Sequence, residues 1–189
     1  MLSPVRALPG VDTLARVAAT CAVGVAVEAV MLWRFGWTLP LGAYASFAAV
    51  GTVVSATDLA ARRIPNRVVL PGLVAALVLL GVASAIPGAW WPLARAGIAM
   101  VVLAGFYLAL GLAFPSGMGM GDVKWAAVVG LLLGWLGWPA VVTGTLLAFA
   151  AAALGVLVLR LATPRRGRLV LPMAPCTSAG ALIAIWTLR

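Results

Sequence analysis

The stretch AVVTGTLLAFAAAALGVLVLR, residues 140–160, carries no charged residue before Arg160. About 20 apolar residues in a helix cross the hydrocarbon core of a bilayer, so this stretch predicts a transmembrane helix. Six further apolar stretches are marked off by charges, prolines and glycines: 14–33, 39–57, 68–86, 93–114, 123–138 and 170–188. The sequence therefore predicts an all-α protein, a polytopic transmembrane helical bundle with about six to seven spans. The stretch 123–138 is short enough to be tilted or partly re-entrant.

The composition agrees with a membrane location. Of the 189 residues, 65% are hydrophobic and 9% are charged, whereas about a quarter of the residues in a soluble domain are charged. The segments between the apolar stretches are too short for a soluble domain, so any active site must lie within the spans or at their ends. A signal peptide is the alternative for the first stretch, but the apolar run continues past Val30 to Trp33 without a clear cleavage region, which favours a span.

Several classes of function are excluded by what the sequence lacks. It contains no histidine, which removes Ser-His and Cys-His catalysis and histidine-based zinc hydrolysis. Cys21 and Cys176 lack the C-x-x-C spacing of a metal or redox site and are predicted to be small packing residues. The net charge of +9 does not predict a nucleic-acid partner, because a basic binding face needs a soluble surface. No metal and no cofactor are expected.

The basic residues predict the orientation of the bundle. With a cytoplasmic N-terminus, three of them fall outside: Arg34, Arg95 and Arg189. The other ten fall on the cytoplasmic side, as the positive-inside rule requires: Arg6, Arg16, Arg62, Arg63, Arg67, Lys124, Arg160, Arg165, Arg166 and Arg168. The tryptophans at the opposite ends of the spans form an interfacial belt, which predicts the same orientation. For Lys124, Arg62 and Arg63, this topological role and contact with lipid phosphates are favoured over a role in a site.

The chain has four acidic residues: Asp12, Glu28, Asp58 and Asp122. Asp12 is predicted to cap a helix that begins near Thr13. Glu28 lies inside an apolar stretch, where a charge costs about 2 to 3 kcal/mol or more without a partner, and function and interhelical packing explain it equally well. Asp58 ends the second stretch and Asp122 opens the fifth, so the predicted topology brings both to the cytoplasmic side.

Alone, each of these two aspartates is more simply a helix cap or a solvated ion pair. Together they predict hydrolysis by a water activated between paired carboxyl groups, because the chain has no histidine to serve as a base. One rival is a small transporter or ion pathway, which needs acids at mid-bilayer depth, and only Glu28 is deep. Another is a non-catalytic assembly protein built on a protease-like scaffold.

Two local patterns surround the aspartates. Gly117, Gly119 and Gly121 precede Asp122 and permit close backbone approach or entry of an extended substrate, although a flexible loop is the simpler alternative. After Asp58 comes the string Ile64-Pro65-Asn66, in which proline breaks one helical run and asparagine can open the next. An ordinary turn is the alternative here.

These strings resemble those of the type IV prepilin peptidases, the membrane-embedded GxGD aspartyl proteases. The match rests on Asp58 followed by Ile64-Pro65-Asn66, and on GMGMGDVK, residues 117–124. A weaker similarity is LPMAPCTSAGA, residues 171–181, which resembles the Pro-x-x-Pro pattern that opens the last span of the family. The resemblance covers about residues 40–188, and Trp125 departs from it because the family usually has a smaller aliphatic residue after Val-Lys.

The resemblance implies an aspartic endopeptidase that removes the leader of type IV prepilins or prepilin-like proteins at the cytoplasmic face of the bacterial inner membrane. It implies a catalytic pair of Asp58 and Asp122, and partners from pilus or secretion machinery. The supporting residues that it implies are Ile64, Pro65, Asn66, Gly119, Gly121 and Lys124. Residues 1–38 are then an N-terminal span with its approach, and residues 39–189 are the catalytic domain. The paired C-x-x-C motifs of bifunctional members are missing, so N-methylation is not expected.

Overall fold

The computed structural model describes residues 9–114, 118–162 and 171–188, which contain seven α-helices. The helices are α1 (Pro9–Phe35), α2 (Leu41–Ala61), α3 (Asn66–Ala85), α4 (Trp91–Ala113), α5 (Met120–Leu136), α6 (Trp138–Ala162) and α7 (Met173–Thr187). Each predicted apolar stretch corresponds to one of them. Five of these helices are long and apolar enough to cross a membrane, and the chain is a polytopic helical membrane bundle.

Helix boundaries follow from local backbone chemistry. Pro65 precedes α3 in an extended conformation and is its N-cap, and Asn66 is the first residue of the helix. The predicted capping role of Asn66 is wrong, because its side-chain oxygen accepts from Lys124 instead. At the end of α2, Arg62 adopts a left-handed conformation with φ 52° and donates its amide to the Asp58 carbonyl. The predicted cap at Asp12 is wrong, because the backbone is already helical from Pro9 and Asp12 therefore lies within α1.

Small residues allow two pairs of helices to pack closely. Between α4 and α5, a methyl group on Gly130 would lie 2.7 Å from the Ala99 carbonyl oxygen. Between α6 and α7, a methyl group on Gly180 would lie 2.5 Å from the Gly144 carbonyl oxygen and 2.6 Å from the Ala148 nitrogen. The backbones therefore approach as closely as they do at the small-residue interfaces of membrane helices.

The short helix α5 lies at the centre of the bundle and packs against helices on several sides. Its 17 residues include an almost continuous buried run from Val128 to Gly134. Its shortness therefore reflects a location inside the protein, where α4, α6 and α7 surround it, and the tilted or re-entrant alternative is not needed.

The backbones of α2 and α5 come close at few points, and side chains bridge the gap between them. Tyr44 of α2 donates a 2.9 Å hydrogen bond to the Leu132 carbonyl of α5. Farther along, Trp125 of α5 is fully buried and stacks on Phe47 of α2, with 5.3 Å between ring centroids. Gly51 accommodates the indole, because a methyl group there would lie 3.3 Å from the Trp125 ring.

Arginines hold one end of the bundle, which we call the arginine end. Arg34, in the last turn of α1, donates to the carbonyls of Ile185 and Leu188 at the end of α7, at 3.1 and 2.9 Å. Near the start of α4, Arg95 donates to the carbonyls of Gly134 and Trp135 at the end of α5, at 2.8 and 2.6 Å. We call the opposite end, with the end of α2 and the starts of α3, α5 and α7, the acid end.

Candidate active site

Asp58 lies in the last turn of α2, where only 6% of its surface is exposed. Its Oδ2 accepts a 3.0 Å hydrogen bond from the backbone amide of Ala174, in the first turn of α7. Pro172 is the N-cap of α7, and Pro175 has no amide hydrogen, so few free amides remain in that turn. The carboxylate of Asp58 therefore satisfies the N-terminus of a helix that lies far away in the sequence.

Asp122 lies in the first turn of α5, two residues after the helix begins. Its Oδ2 accepts a 2.9 Å hydrogen bond from the Gly119 amide, and its own amide donates to the Gly119 carbonyl at 3.0 Å. Gly119 is the N-cap of α5, and the Asp122 side chain bonds back to its amide, so Asp122 has the capping role that the simpler interpretation predicts. A carboxylate in this position benefits from the positive end of the α5 dipole.

Both carboxyl groups line one cavity of about 410 Å³ at the acid end. Its lining residues come from the end of α2, the turn that follows it and the start of α5: Asp58, Arg62, Arg63, Ile64, Pro65, Gly119, Gly121 and Asp122. The two carboxyl groups are close enough to interact electrostatically. Across the part of the chain that the structure describes, no group of three or more His, Cys, Asp or Glu side chains is placed to hold a metal ion.

The structure brings six of the eight predicted site residues together in this cavity: Asp58, Asp122, Ile64, Pro65, Gly119 and Gly121. The other two, Asn66 and Lys124, do not line it but bind each other, with 2.9 Å between Lys124 Nζ and Asn66 Oδ1. Gly117 lies outside the described residues. Glu28 is half-buried on α1 near Ala49 of α2, and it is not a lining residue.

Some residues near the site were not predicted from the sequence. Tyr107 of α4 is buried in the neighbourhood of Asp122 and of Cys176 of α7. The Ala174 amide that binds Asp58 was also missed. The proline-rich string that opens α7 was noted as a family pattern, but a backbone amide has no sequence signature, and no local signal identified Tyr107.

A sequence model of the type IV leader peptidase family matches residues 45–159, from the second turn of α2 to the last turn of α6. The matched segment contains both aspartates and their flanking motifs, whereas α1 and α7 lie outside it. No curated protein and no solved structure matches the chain. Because the match covers more than half of the residues, the chain belongs to the type IV leader peptidase family, and it is a leader-peptidase-like protease at the level of that family.

Proposed function

We propose that this member of the type IV leader peptidase family is an aspartic endopeptidase that cleaves the leader from type IV prepilins or prepilin-like proteins. Its catalytic pair is Asp58 and Asp122. The observation that supports this proposal best is that two carboxyl groups, 64 positions apart in the sequence, line one cavity at one end of the bundle. Such a cavity holds water and a peptide bond between two acids.

The proposed reaction follows from the chemistry of paired carboxyl groups. Two close carboxyl groups do not both ionise cheaply, so they share one proton. The ionised aspartate takes a proton from water while the protonated one donates its proton to the scissile carbonyl oxygen. The new C–O bond gives a tetrahedral intermediate, which collapses as the C–N bond breaks and the leaving amine takes up a proton. The pair acts as a unit, and we assign neither role to one residue.

Each carboxyl group has an oxygen that is fixed by the fold. In both cases Oδ2 accepts a hydrogen bond from a backbone amide, that of Ala174 for Asp58 and that of Gly119 for Asp122. Oδ1 of each group is then the atom that meets water or substrate. Backbone amides at helix starts hold the two acids, which keeps the pair preorganised for catalysis.

The location of the cavity suggests where the substrate binds. A prepilin leader ends just before an apolar helix, and the cavity lies at the ends of apolar helices, so the scissile bond meets the acids while the substrate helix stays in the bilayer. The basic residues at the acid end, among them Arg62, Arg63, Arg67 and Lys124, favour the cytoplasmic face of a bacterial inner membrane. Lipid head groups and pilus or secretion proteins are the expected neighbours.

The proposal is tested by co-expressing the protein with a prepilin and measuring leader removal by mass spectrometry. We expect Asp58→Asn and Asp122→Asn each to reduce processing by about 100- to 10,000-fold, because each removes one of the two proton-transfer groups. Asparagine keeps an oxygen that can accept the backbone amide, so both variants should accumulate in membranes at the wild-type level.

Glu28→Gln is the matched control, because Glu28 is an acid in an apolar helix that does not line the cavity. Processing should be unchanged in this variant. Normal processing by either asparagine variant would contradict the proposed pair, and absence of processing by the wild type would favour the non-catalytic assembly protein.

A further inference from the structure

Lys124 forms a hydrogen bond that joins two helices at the edge of the candidate site. Its Nζ donates to Oδ1 of Asn66 over 2.9 Å, linking α5 to the first residue of α3. Both helices begin at this end of the bundle, and the positive end of a helix dipole disfavours a cation there. Helix stability therefore does not explain why the ammonium group lies at this position.

The turn before α3 also contacts α5, through the side chain of Ile64. A methyl group on Gly121 would lie 2.8 Å from Cβ of Ile64, so the turn after α2 rests directly on the first turn of α5. Lys124 follows Gly121 by three positions and therefore lies near it on the helix surface. The contact between Ile64 and Gly121 and the bond between Lys124 and Asn66 thus connect the same pair of segments.

This connection matters because α2 and α5 have little direct contact. Asp58 is carried by α2 and Asp122 by α5, and the backbones of these helices come close at few points. By contrast, α3 packs against both of them. Helix α7 also packs against both and binds Asp58 through Ala174. The turn 62–65 and the start of α3 form the second connection between the two aspartates, next to the one through α7.

We propose that Lys124 and Asn66 are a positioning pair that holds the turn 62–65 against the start of α5 and thereby sets the gap between Asp58 and Asp122. The inference rests on the proposed peptidase function of these aspartates. It replaces a purely topological role for Lys124 with a specific contact, and it gives Asn66 a function beyond the start of α3.

The first experiment is a double-mutant cycle on the rate of leader cleavage by the full-length protein in detergent. Lys124→Met and Asn66→Ala should each lower kcat about tenfold with KM changed less than twofold, because the acids are misplaced while the binding surface remains. The double variant should be no slower than the slower single variant, since both substitutions break one bond. Lys124→Arg keeps a donor and should retain most of the activity.

Arg67→Met is the matched control, because it removes one positive charge from the residue next to Asn66, and Arg67 does not line the cavity. Its kcat should equal that of the wild type. Equal losses in Arg67→Met and Lys124→Met would mean that both residues only contact lipid, and the proposal would be overturned. A double variant about 100-fold slower would also overturn it, because independent effects multiply.

The second experiment does not depend on catalysis. In an Asp58→Asn protein with Cys21→Ala and Cys176→Ala, spin labels at Arg67→Cys and Met120→Cys report the distance between the starts of α3 and α5. We expect a narrow distance distribution that broadens when Lys124→Met is added. An unchanged distribution would overturn the positioning pair, even if the proposed function stands. The distance distribution could broaden as expected while the wild-type protein fails to cleave any prepilin. That result would contradict the proposed function but support the positioning pair.

Discussion

The two ends of the bundle satisfy the ends of the same two helices in different ways. At the arginine end, Arg34 and Arg95 each donate two hydrogen bonds to the last carbonyls of α7 and α5. At the acid end, Asp58 and Asp122 each accept a bond from an amide in the first turn of α7 or beside the start of α5. Both arrangements place a charge where the helix dipole favours it.

The difference lies in what else surrounds those charges. Near the arginine end, Tyr44 bonds to α5, and the cavity of about 440 Å³ between α1 and α7 is lined by apolar side chains. At the acid end, both carboxyl groups face a cavity of about 410 Å³. The same capping chemistry therefore fixes helix ends at both ends of the bundle, but among the described residues only the acid end combines it with a cavity that charged groups line. Substitutions that break the arginine bonds should therefore affect stability, and those that displace Asp58 or Asp122 should affect activity.

The largest expected effect on stability comes from Arg95→Met. It removes two hydrogen bonds from a charged donor, so the free energy of unfolding should fall by about 2 to 3 kcal/mol. The molecules that stay folded should still process prepilin. Thermal unfolding in detergent measures the first effect, and leader removal per folded molecule measures the second. Arg95→Lys keeps the charge and should lose less stability than Arg95→Met. An Arg95→Met protein as stable as the wild type would contradict the stabilising role of the arginine end.

Two glycines of α5, Gly134 near the arginine end and Gly121 at the acid end, allow the two ends to be compared by adding one methyl group at each. In Gly134→Ala, the methyl would overlap Ala99 and lie 3.0 Å from Cα of Ala96. The free energy of unfolding should therefore fall by about 1 to 3 kcal/mol. In Gly121→Ala, the methyl would displace Ile64 and the turn, so processing should fall about 10- to 100-fold with little loss of stability.

The control for both variants is Gly97→Ala, because no atom of the described residues outside its own stretch of helix lies within 4 Å of the position that its methyl would occupy. It should leave processing unchanged and raise stability by up to about 1 kcal/mol, since alanine favours helix. A fully active Gly121→Ala protein would contradict the expectation that substitutions that displace the aspartates at the acid end affect activity.

The smallest expected effect is a gain in stability at the acid end. Arg62 has a positive φ of 52°, which glycine adopts without steric cost. Arg62→Gly should therefore stabilise the fold by about 1 kcal/mol, measured as a higher unfolding temperature. The neighbouring Arg63 does not have a positive φ, so Arg63→Gly should give no gain. A lower unfolding temperature for Arg62→Gly would show that its side chain stabilises this end.

The sequence predicted the helices well because spans in a bilayer must satisfy their own backbone hydrogen bonds. Seven apolar stretches became seven helices, and their alternation brought Asp58 and Asp122 to one end. The errors are at the boundaries, as with α1, which begins at Pro9 instead of near residue 14. Helix ends depend on one or two residues and carry less signal than a long apolar run.

The contacts that hold the site were not predictable in the same way. The Ala174 amide reaches Asp58 only through the packing of α7, and Gly51 makes room for Trp125 from a different helix. Arg34 and Arg95 were explained by topology alone, yet they bond to specific carbonyls. Each of these contacts joins residues that are far apart in the chain, and no local pattern records it.

The unequal lengths of the helices have a consequence for how water reaches a buried peptide bond. At 1.5 Å per residue, α5 and α7 with 17 and 15 residues span only about 25 and 22 Å. Their partners α4 and α6, with 23 and 25 residues, span about 34 and 37 Å. A bilayer whose hydrocarbon is about 30 Å thick matches the long helices and exceeds the short ones. We therefore expect the bilayer to thin where α5 and α7 fall short of it, which would bring water to the proposed peptidase site at the ends of these helices.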